Sequence, residues 1–260
     1  MKAVFFDIDG TLYQAGKPIE SSTAEALALL RERGHLVFIC TGRSKIMIPK
    51  EVTDLGFDGA VAACGTYGSY RGEELFSYSL KEKELKQMIS LFREYNAMYI
   101  LEGSEYIYYD EETVGEPEED WYIQYIKDTI PHRFVSVQKA ERIDAQKASI
   151  HARNMDPEEL YKKLRGDYEV LEHVFGVAEF LPKGHSKANG IERILQHLGM
   201  QREDAVAVGD SINDVDMLKY AGTGICMGNG SEPAKACADY ITLPIEEGGI
   251  FHAMKHLGLI

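Results

Sequence analysis

The stretch Ala3-Val4-Phe5-Phe6-Asp7-Ile8-Asp9-Gly10-Thr11-Leu12 decides how the chain folds. Its opening is an uncharged apolar run, the pattern of a strand buried on both faces, and the run stops on a carboxylate. A second carboxylate follows two residues later, and then Asp9-Gly10, a common turn pair. Strand geometry sends alternate side chains the same way, so Asp7 and Asp9 leave the strand end in a similar direction. Two anions that close repel each other and need a cation between them or one shared proton. Magnesium, with its preference for oxygen ligands, is the natural cation. The competing reading is an acidic turn that does no more than close a strand.

Outward from this stretch, apolar strand patterns alternate with amphipathic helical ones. A helix is expected over Thr23 to Arg33, with Ala24, Leu27 and Leu30 on one stripe and Gly34 as its stop. A second buried strand, His35 to Cys40, runs into Thr41-Gly42-Arg43. A helix over Lys45 to Leu55, with Pro49 near its start, and a strand over Ala60 to Ala63 complete this part. The last third repeats the pattern: helix Lys187 to Leu198 closed by Gly199, strand Ala205 to Val208 broken by Gly209-Asp210, helix Val215 to Tyr220, strand Gly224 to Met227, helix Glu232 to Cys237 and strand Tyr240 to Leu243. Such alternation predicts an α/β fold, a doubly wound parallel sheet with helices on both faces.

The middle follows another order. A long helix, Glu82 to Tyr95, precedes Tyr- and Ile-rich strands at Met98 to Leu101 and Tyr106 to Tyr109, an acidic loop from Asp110 to Asp120 and a helix at Trp121 to Lys127. Strands at Phe134 to Val137, Ala148 to Ala152, Glu169 to His173 and Ala178 to Leu181 and a helix from Pro157 to Leu164 follow. This order predicts an α+β insert with an antiparallel sheet over residues 82–183, leaving 1–81 and 184–260 as the parallel-sheet domain.

In that domain three strands each end on a reactive side chain: Asp7, Thr41 and Asp210. Parallel sheets place ligands at the carboxyl ends of their strands, so the three converge on one crevice. Thr41 and Gly42 offer a hydroxyl and main-chain N–H groups to an anion, although a strand-end Thr-Gly is more often a turn and cap. Lys187 opens a helix, where the helix dipole disfavours a cation, so pairing with carboxylates and phosphate is one reading, although for this segment alone a solvated surface lysine is the stronger one. Asp214 lies four residues beyond Asp210, with Asn213 between them.

The bulk composition excludes several classes. With 260 residues and 45% hydrophobic content the chain can bury a sizeable core. A net charge of −14 repels nucleic acid and anionic membrane, and no basic cluster offsets it. Cys40, Cys64, Cys226 and Cys237 lack metal-site spacing, so reduced thiols in a cytoplasmic protein are expected. No apolar run has the length of a signal peptide core or a bilayer span.

Taken in order, Asp7-x-Asp9-Gly10-Thr11-Leu12, Thr41-Gly42-Arg43, Ser186-Lys187-Ala188-Asn189-Gly190 and Gly209-Asp210-Ser211-Ile212-Asn213-Asp214 resemble the motifs of the haloacid dehalogenase superfamily, specifically its Cof-type phosphatase branch. The resemblance covers essentially the full chain. It implies a Rossmann-like core with an α+β cap inserted between the second and third motifs, and a magnesium-dependent phosphatase acting on small metabolites. It further implies that Asp7 attacks phosphorus and becomes an aspartyl phosphate. Asp9 protonates the leaving alcohol and then deprotonates water. Thr41 and Gly42 hold phosphoryl oxygens, Lys187 screens charge, and Asn213 touches the phosphate. Asp210 binds Mg2+ with the Asp7 carboxylate and the Asp9 main-chain carbonyl, supported by Asp214.

Asp9 must then carry a proton at neutral pH, and burial under a closed cap favours the neutral acid. One departure from the branch is Cys64-Gly65-Thr66, where Asn-Gly-Ala is usual. Phosphate-ester substrates implied are sugar phosphates, flavin or flavin-precursor phosphates, and nucleotides. Lys147, His151, Arg153 and Glu179 are polar candidates for cap contacts, each equally readable as a surface residue. Tyr106, Tyr108 and Tyr109 form an aromatic run suited to stacking or to core packing. A phosphotransferase or phosphomutase would use the same intermediate. A non-catalytic phospholigand sensor would have no need of Asp9.

Overall fold

The structure is a computed structural model that describes residues 1–114, 120–152, 155–173 and 176–260. The chain divides into two compact units: Met1–Arg43, Ile48–Phe76 and Ser186–Ile260 form the first, and Ser44–Met47 with Ser77–His185 the second.

The first unit is built on strands β1 (Ala3–Phe6), β2 (Leu36–Cys40), β3 (Gly59–Ala62), β4 (Tyr67–Tyr70), β5 (Glu73–Ser77), β12 (Ala205–Gly209), β13 (Thr223–Cys226) and β14 (Tyr240–Ile241). Their spatial order is β14-β13-β12-β1-β2-β3-β4-β5. Pairings from β14 through β3 are parallel, and β4 joins β3 antiparallel. The chain runs outward one way from β1 to β3 and the other way from β12 to β14. β1 and β12 therefore flank a topological switch point, where open α/β sheets bind ligands.

Alternation along β1 explains the layers. Val4 and Phe6 pack with Ala26, Leu27 and Leu30 of helix α1 (Ser21–Glu32) and with Ile250, Ala253 and Met254 of a C-terminal helix, Gly249–His256. Ala3 and Phe5 face the opposite layer, with Ile191, Ile194 and Leu195 of α7 (Lys187–Leu198), Met217 and Leu218 of α8 (Val215–Tyr220) and Ala234 of α9 (Glu232–Cys237). The sheet is thus covered on both faces, as its uncharged strands require.

The expected helix over Lys45 to Leu55 does not form. Instead, a 3-10 turn at Lys45–Met47 is followed by the short α2 (Lys50–Thr53), with Pro49 as its N-cap. Proline disfavours helical backbone at the residue before it, here Ile48, and that breaks the run. Strands β4 and β5 and the Gly249–His256 helix were not anticipated.

The second unit holds β6 (Met98–Glu102), β7 (Ile107–Tyr109), β8 (Phe134–Ser136), β9 (Lys147–His151), β10 (Tyr168–Glu172) and β11 (Val177–Pro182), in the order β10-β11-β9-β6-β7-β8. Helices α3 (Glu82–Glu94) and α6 (Glu158–Leu164) cover one face through Leu85, Met88, Phe92, Leu160 and Leu164. Helix α5 (Trp121–Thr129) packs Ile123 and Ile126 with Met98 and Ile100 on the other. The sheet is mixed, not purely antiparallel, because β8 pairs parallel with β7. A parallel pair needs a crossover, and helix α4 (Glu111–Val114) and α5 lie in the connection between β7 and β8. The run Tyr106, Tyr108 and Tyr109 splits: Tyr106 is exposed, Tyr108 is in the core, and Tyr109 stacks on Phe134 at 4.5 Å. No helix among the described residues is long and apolar enough to cross a membrane.

Candidate active site

β1 delivers Asp7 at its carboxyl end, and the Asp7 N–H still donates to Val208 O of β12 at 2.9 Å. Immediately afterwards the chain turns. Ile8 O accepts from the N–H groups of Thr11, Leu12 and Tyr13 at 3.2, 2.9 and 2.9 Å. Gly10 stands at φ +84°, and a Cβ there would lie 2.4 Å from Asp210 Oδ2. Only glycine admits both that backbone and that closeness. Thr11 Oγ1 donates to Asp210 Oδ1 at 3.3 Å, which ties the first loop to the loop after β12. Asn229 clasps the same turn: its Nδ2 donates to Gly10 O at 2.8 Å and its Oδ1 accepts from Ile245 N at 3.0 Å.

Lys187 enters from the first turn of α7, 1% exposed. Its Nζ lies 2.7 Å from Asp7 Oδ1 and 2.6 Å from Asp214 Oδ1. The other Asp214 oxygen accepts the N–H groups of Asp210 and Ser211, each at 2.9 Å. Asp7, Asp210 and Asp214 each present a carboxylate oxygen, all within 4.8 Å of one another. One ammonium does not balance three carboxylates, and the protonation equilibria respond. Burial, then repulsion from Asp214, carries Asp7 well above the usual carboxylate range despite Lys187. The same two causes push Asp210 to about 7. Burial alone would lower Lys187, but attraction to Asp214 and Asp7 prevails and raises it.

The Thr41–Arg43 loop is held from both sides. Thr41 O accepts from Cys64 N at 3.1 Å, and Arg43 O accepts from Ala63 N at 2.8 Å. Ala63 and Cys64, at φ 46° and 51°, occupy left-handed backbone without glycine's freedom. Such positions cost about 1–3 kcal/mol each and persist where surroundings over-determine them, often at functional sites. A Cβ on Gly42 would meet Cys64 Sγ at 3.3 Å and Asn213 Nδ2 at 3.7 Å, so Gly42, the thiol and the amide converge.

Asp9 stands apart from the buried group. Its side chain is 52% exposed. Arg43 holds it by two bonds, Nε to Oδ2 and Nη2 to Oδ1, both at 2.7 Å. The Asp9 side chain thus lies outside the buried carboxylate group. The sequence motifs by themselves assign no role to Arg43, Thr11 or Asn229. Arg43 adjoins the Thr-Gly motif, but nothing local signals its partner.

In the second unit, register places Glu102, Lys147, Ser149 and Glu179 on one sheet face. Lys147 Nζ lies 3.2 Å from Glu102 and 2.9 Å from Glu179, while Ser44 and Ser149 donate to Glu102. His151 Nδ1 pairs with Asp120 at 2.8 Å. Arg153 lies outside the described residues.

The Asp7–Asp210–Asp214 group fits a divalent ion. Its donors are all hard oxygens, it is short of positive charge, and the bare Gly10 leaves room beside Asp210.

The model of the haloacid dehalogenase-like hydrolases matches residues 4–254. YkrA of Bacillus subtilis is 29% identical over 260 residues, covering all of this chain and 98% of that protein. The Bacillus subtilis 5-amino-6-(5-phospho-D-ribitylamino)uracil phosphatase YitU is 28% identical over 272 residues, 97% of this chain and 96% of its own. The solved structure of the subclass IIB sugar phosphatase BT4131 superposes with a TM-score of 0.82 at 30% identity, covering 100% of both chains. The chain belongs to the haloacid dehalogenase-like hydrolase family, in its Cof-type branch, and is a phosphoric monoester hydrolase.

Proposed function

We propose that this enzyme hydrolyses phosphate monoesters of small metabolites, sugar phosphates or flavin-precursor phosphates, using Mg2+ and an aspartyl phosphate formed on Asp7. What carries the reading is Asp7 itself: a buried carboxylate at the end of the central strand, 2.7 Å from a buried ammonium and grouped with two further carboxylates. The related sugar phosphatase and the ribitylaminouracil phosphatase support the two substrate classes. The second unit is assigned as the cap of the resemblance.

Asp7 attacks phosphorus, and the ester oxygen departs with a proton from Asp9. The Thr41 hydroxyl, Gly42 N–H and Asn213 amide receive the phosphoryl oxygens. Lys187 offsets the charge brought together as the nucleophile and phosphate meet. Water then attacks the phosphorus, Asp9 accepts its proton, and Asp7 is restored. Asp7, Asp210 and Asp214 would hold the Mg2+, which when bound neutralises carboxylate and phosphoryl charge.

The test is phosphate release from sugar phosphates, flavin mononucleotide, nucleotides and an aryl phosphate, with Mg2+, with chelator and with Asp7→Asn. Mg2+-dependent turnover lost in Asp7→Asn is expected. Turnover that persists in Asp7→Asn, or no turnover on any ester, would overturn the reading.

A further inference from the structure

We propose that Arg43 is the positioning residue for Asp9 during hydrolysis of the phospho-Asp7 intermediate; the inference rests on the catalytic scheme above. The guanidinium grips Asp9 as a fork, Nε to Oδ2 and Nη2 to Oδ1 at 2.7 Å each. Such bidentate pairing fixes the plane of the carboxylate as well as its place. The holder is better anchored than the held. Arg43 is 17% exposed in its side chain against 52% for Asp9. Its main chain is pinned on both sides, N–H to Thr41 Oγ1 at 3.1 Å and carbonyl from Ala63 N at 2.8 Å.

An ion pair this exposed contributes little to stability, so its consequence lies in orientation. A free carboxylate on a turn samples several rotamers, and Arg43 selects one. The chemistry of the fork also distinguishes Asp9's two duties. A carboxylate has about four lone-pair sites, and the fork uses two, so one site on each oxygen remains to accept a proton from water. When Asp9 acts as acid, its hydrogen occupies one of those remaining sites, and both N–H groups of the fork still meet lone pairs. A neutral acid is a poorer acceptor than a carboxylate, so the engaged fork suits the base step more than the acid step.

In the step concerned, a water oxygen bonds to phosphorus. The bond between phosphorus and the Asp7 oxygen breaks, and its electron pair returns to the Asp7 carboxylate. The water proton passes to Asp9, inorganic phosphate leaves, and the proton on Asp9 serves the next leaving alcohol.

The experiment is rapid-quench kinetics of the Mg2+-loaded enzyme on an aryl phosphate, whose leaving group needs no proton, with wild type, Arg43→Met and Arg43→Lys. In Arg43→Met, kcat falls by about 10–100-fold, the range for residues that orient a functional group. KM falls with it, kcat/KM stays near wild type, and a burst of aryl alcohol appears with accumulated phosphoenzyme. Arg43→Lys, with no fork, gives an intermediate kcat. The double variant Asp9→Asn/Arg43→Met is no slower than Asp9→Asn alone, as coupled residues require. Unchanged kcat, or kcat and kcat/KM falling together without a burst, would overturn the assignment. Activity that survives in Asp7→Asn would instead sink the underlying scheme, whatever Arg43 does.

Discussion

Two lysines lie fully buried among the described residues, each between two carboxylates, and their surroundings end in opposite electrostatic states. Lys147, in the second unit, bridges Glu102 and Glu179 at 3.2 and 2.9 Å. Lys187, in the first, bridges Asp7 and Asp214 at 2.7 and 2.6 Å. The difference is in the neighbours. Around Lys147 the additional groups are donors: Ser44 and Ser149 to Glu102, and His173 to Glu179 at 3.5 Å. Burial works to raise Glu179, yet Lys147 and His173 hold it at about 2. Around Lys187 the additional group is another carboxylate, Asp210, and both Asp210 and Asp7 are pushed up. The first arrangement holds its Glu179 carboxylate in the charged form. The second is short of positive charge, which is what a cation-binding catalytic site needs before its ion arrives.

The largest expected effects sit at the incomplete cluster. Asp7→Asn should lower kcat by ~10⁴-fold or more, as loss of a nucleophile does. Asp9→Asn should lower turnover of an alkyl phosphate by about 10²–10⁴-fold, with a smaller loss on an aryl phosphate. Steady-state rates on the two esters check both, and equal losses on the two esters would contradict the acid role of Asp9.

Next comes the cost of removing each lysine. Lys147→Met strands two carboxylates in the interior and should destabilise the protein by ~3–5 kcal/mol in urea titration. Lys187→Met should cost a similar amount without metal, but Mg2+ should recover part of it. Mg2+ recovery in Lys147→Met as well would break the contrast.

The smallest effects are in pH dependence, measured as thermal stability in chelator. Asp210 is raised to about 7, so the folded state holds its proton longer than the unfolded state does. Its contribution is complete below the unfolded carboxylate range and disappears as pH rises through about 7. Glu179 is depressed to about 2, so its contribution is present above the unfolded carboxylate range and disappears as pH falls through about 2. Asp210→Asn should flatten the first slope and Glu179→Gln the second.

How much of this was readable beforehand follows from sequence range. Helices Val215–Tyr220 and Glu232–Cys237 were readable to the residue, because their periodicity and stops are local. The strand ends carrying Asp7, Thr41 and Asp210 were readable for the same reason: an apolar run halted by a polar residue marks its own terminus. Pro49 was visible, but its power to split the Lys45–Leu55 pattern was underestimated. The Tyr67–Tyr70 and Glu73–Ser77 strands were missed although Arg71-Gly72, at φ 48° and 82°, supplies a hairpin turn between them. The Asp9–Arg43 fork spans 34 positions and the Asn229–Gly10 clasp 219, so no local pattern encodes either. The charge imbalance around Lys187 depends on three loops meeting, and only the folded chain displays it.

The most direct test of that imbalance is calorimetric titration of Mg2+ into the metal-free protein and into Asp210→Asn at mildly alkaline pH. The account predicts one ion bound per wild-type chain and an affinity at least ~10-fold weaker in Asp210→Asn. Absence of binding to wild type, or equal affinity in the variant, would contradict it.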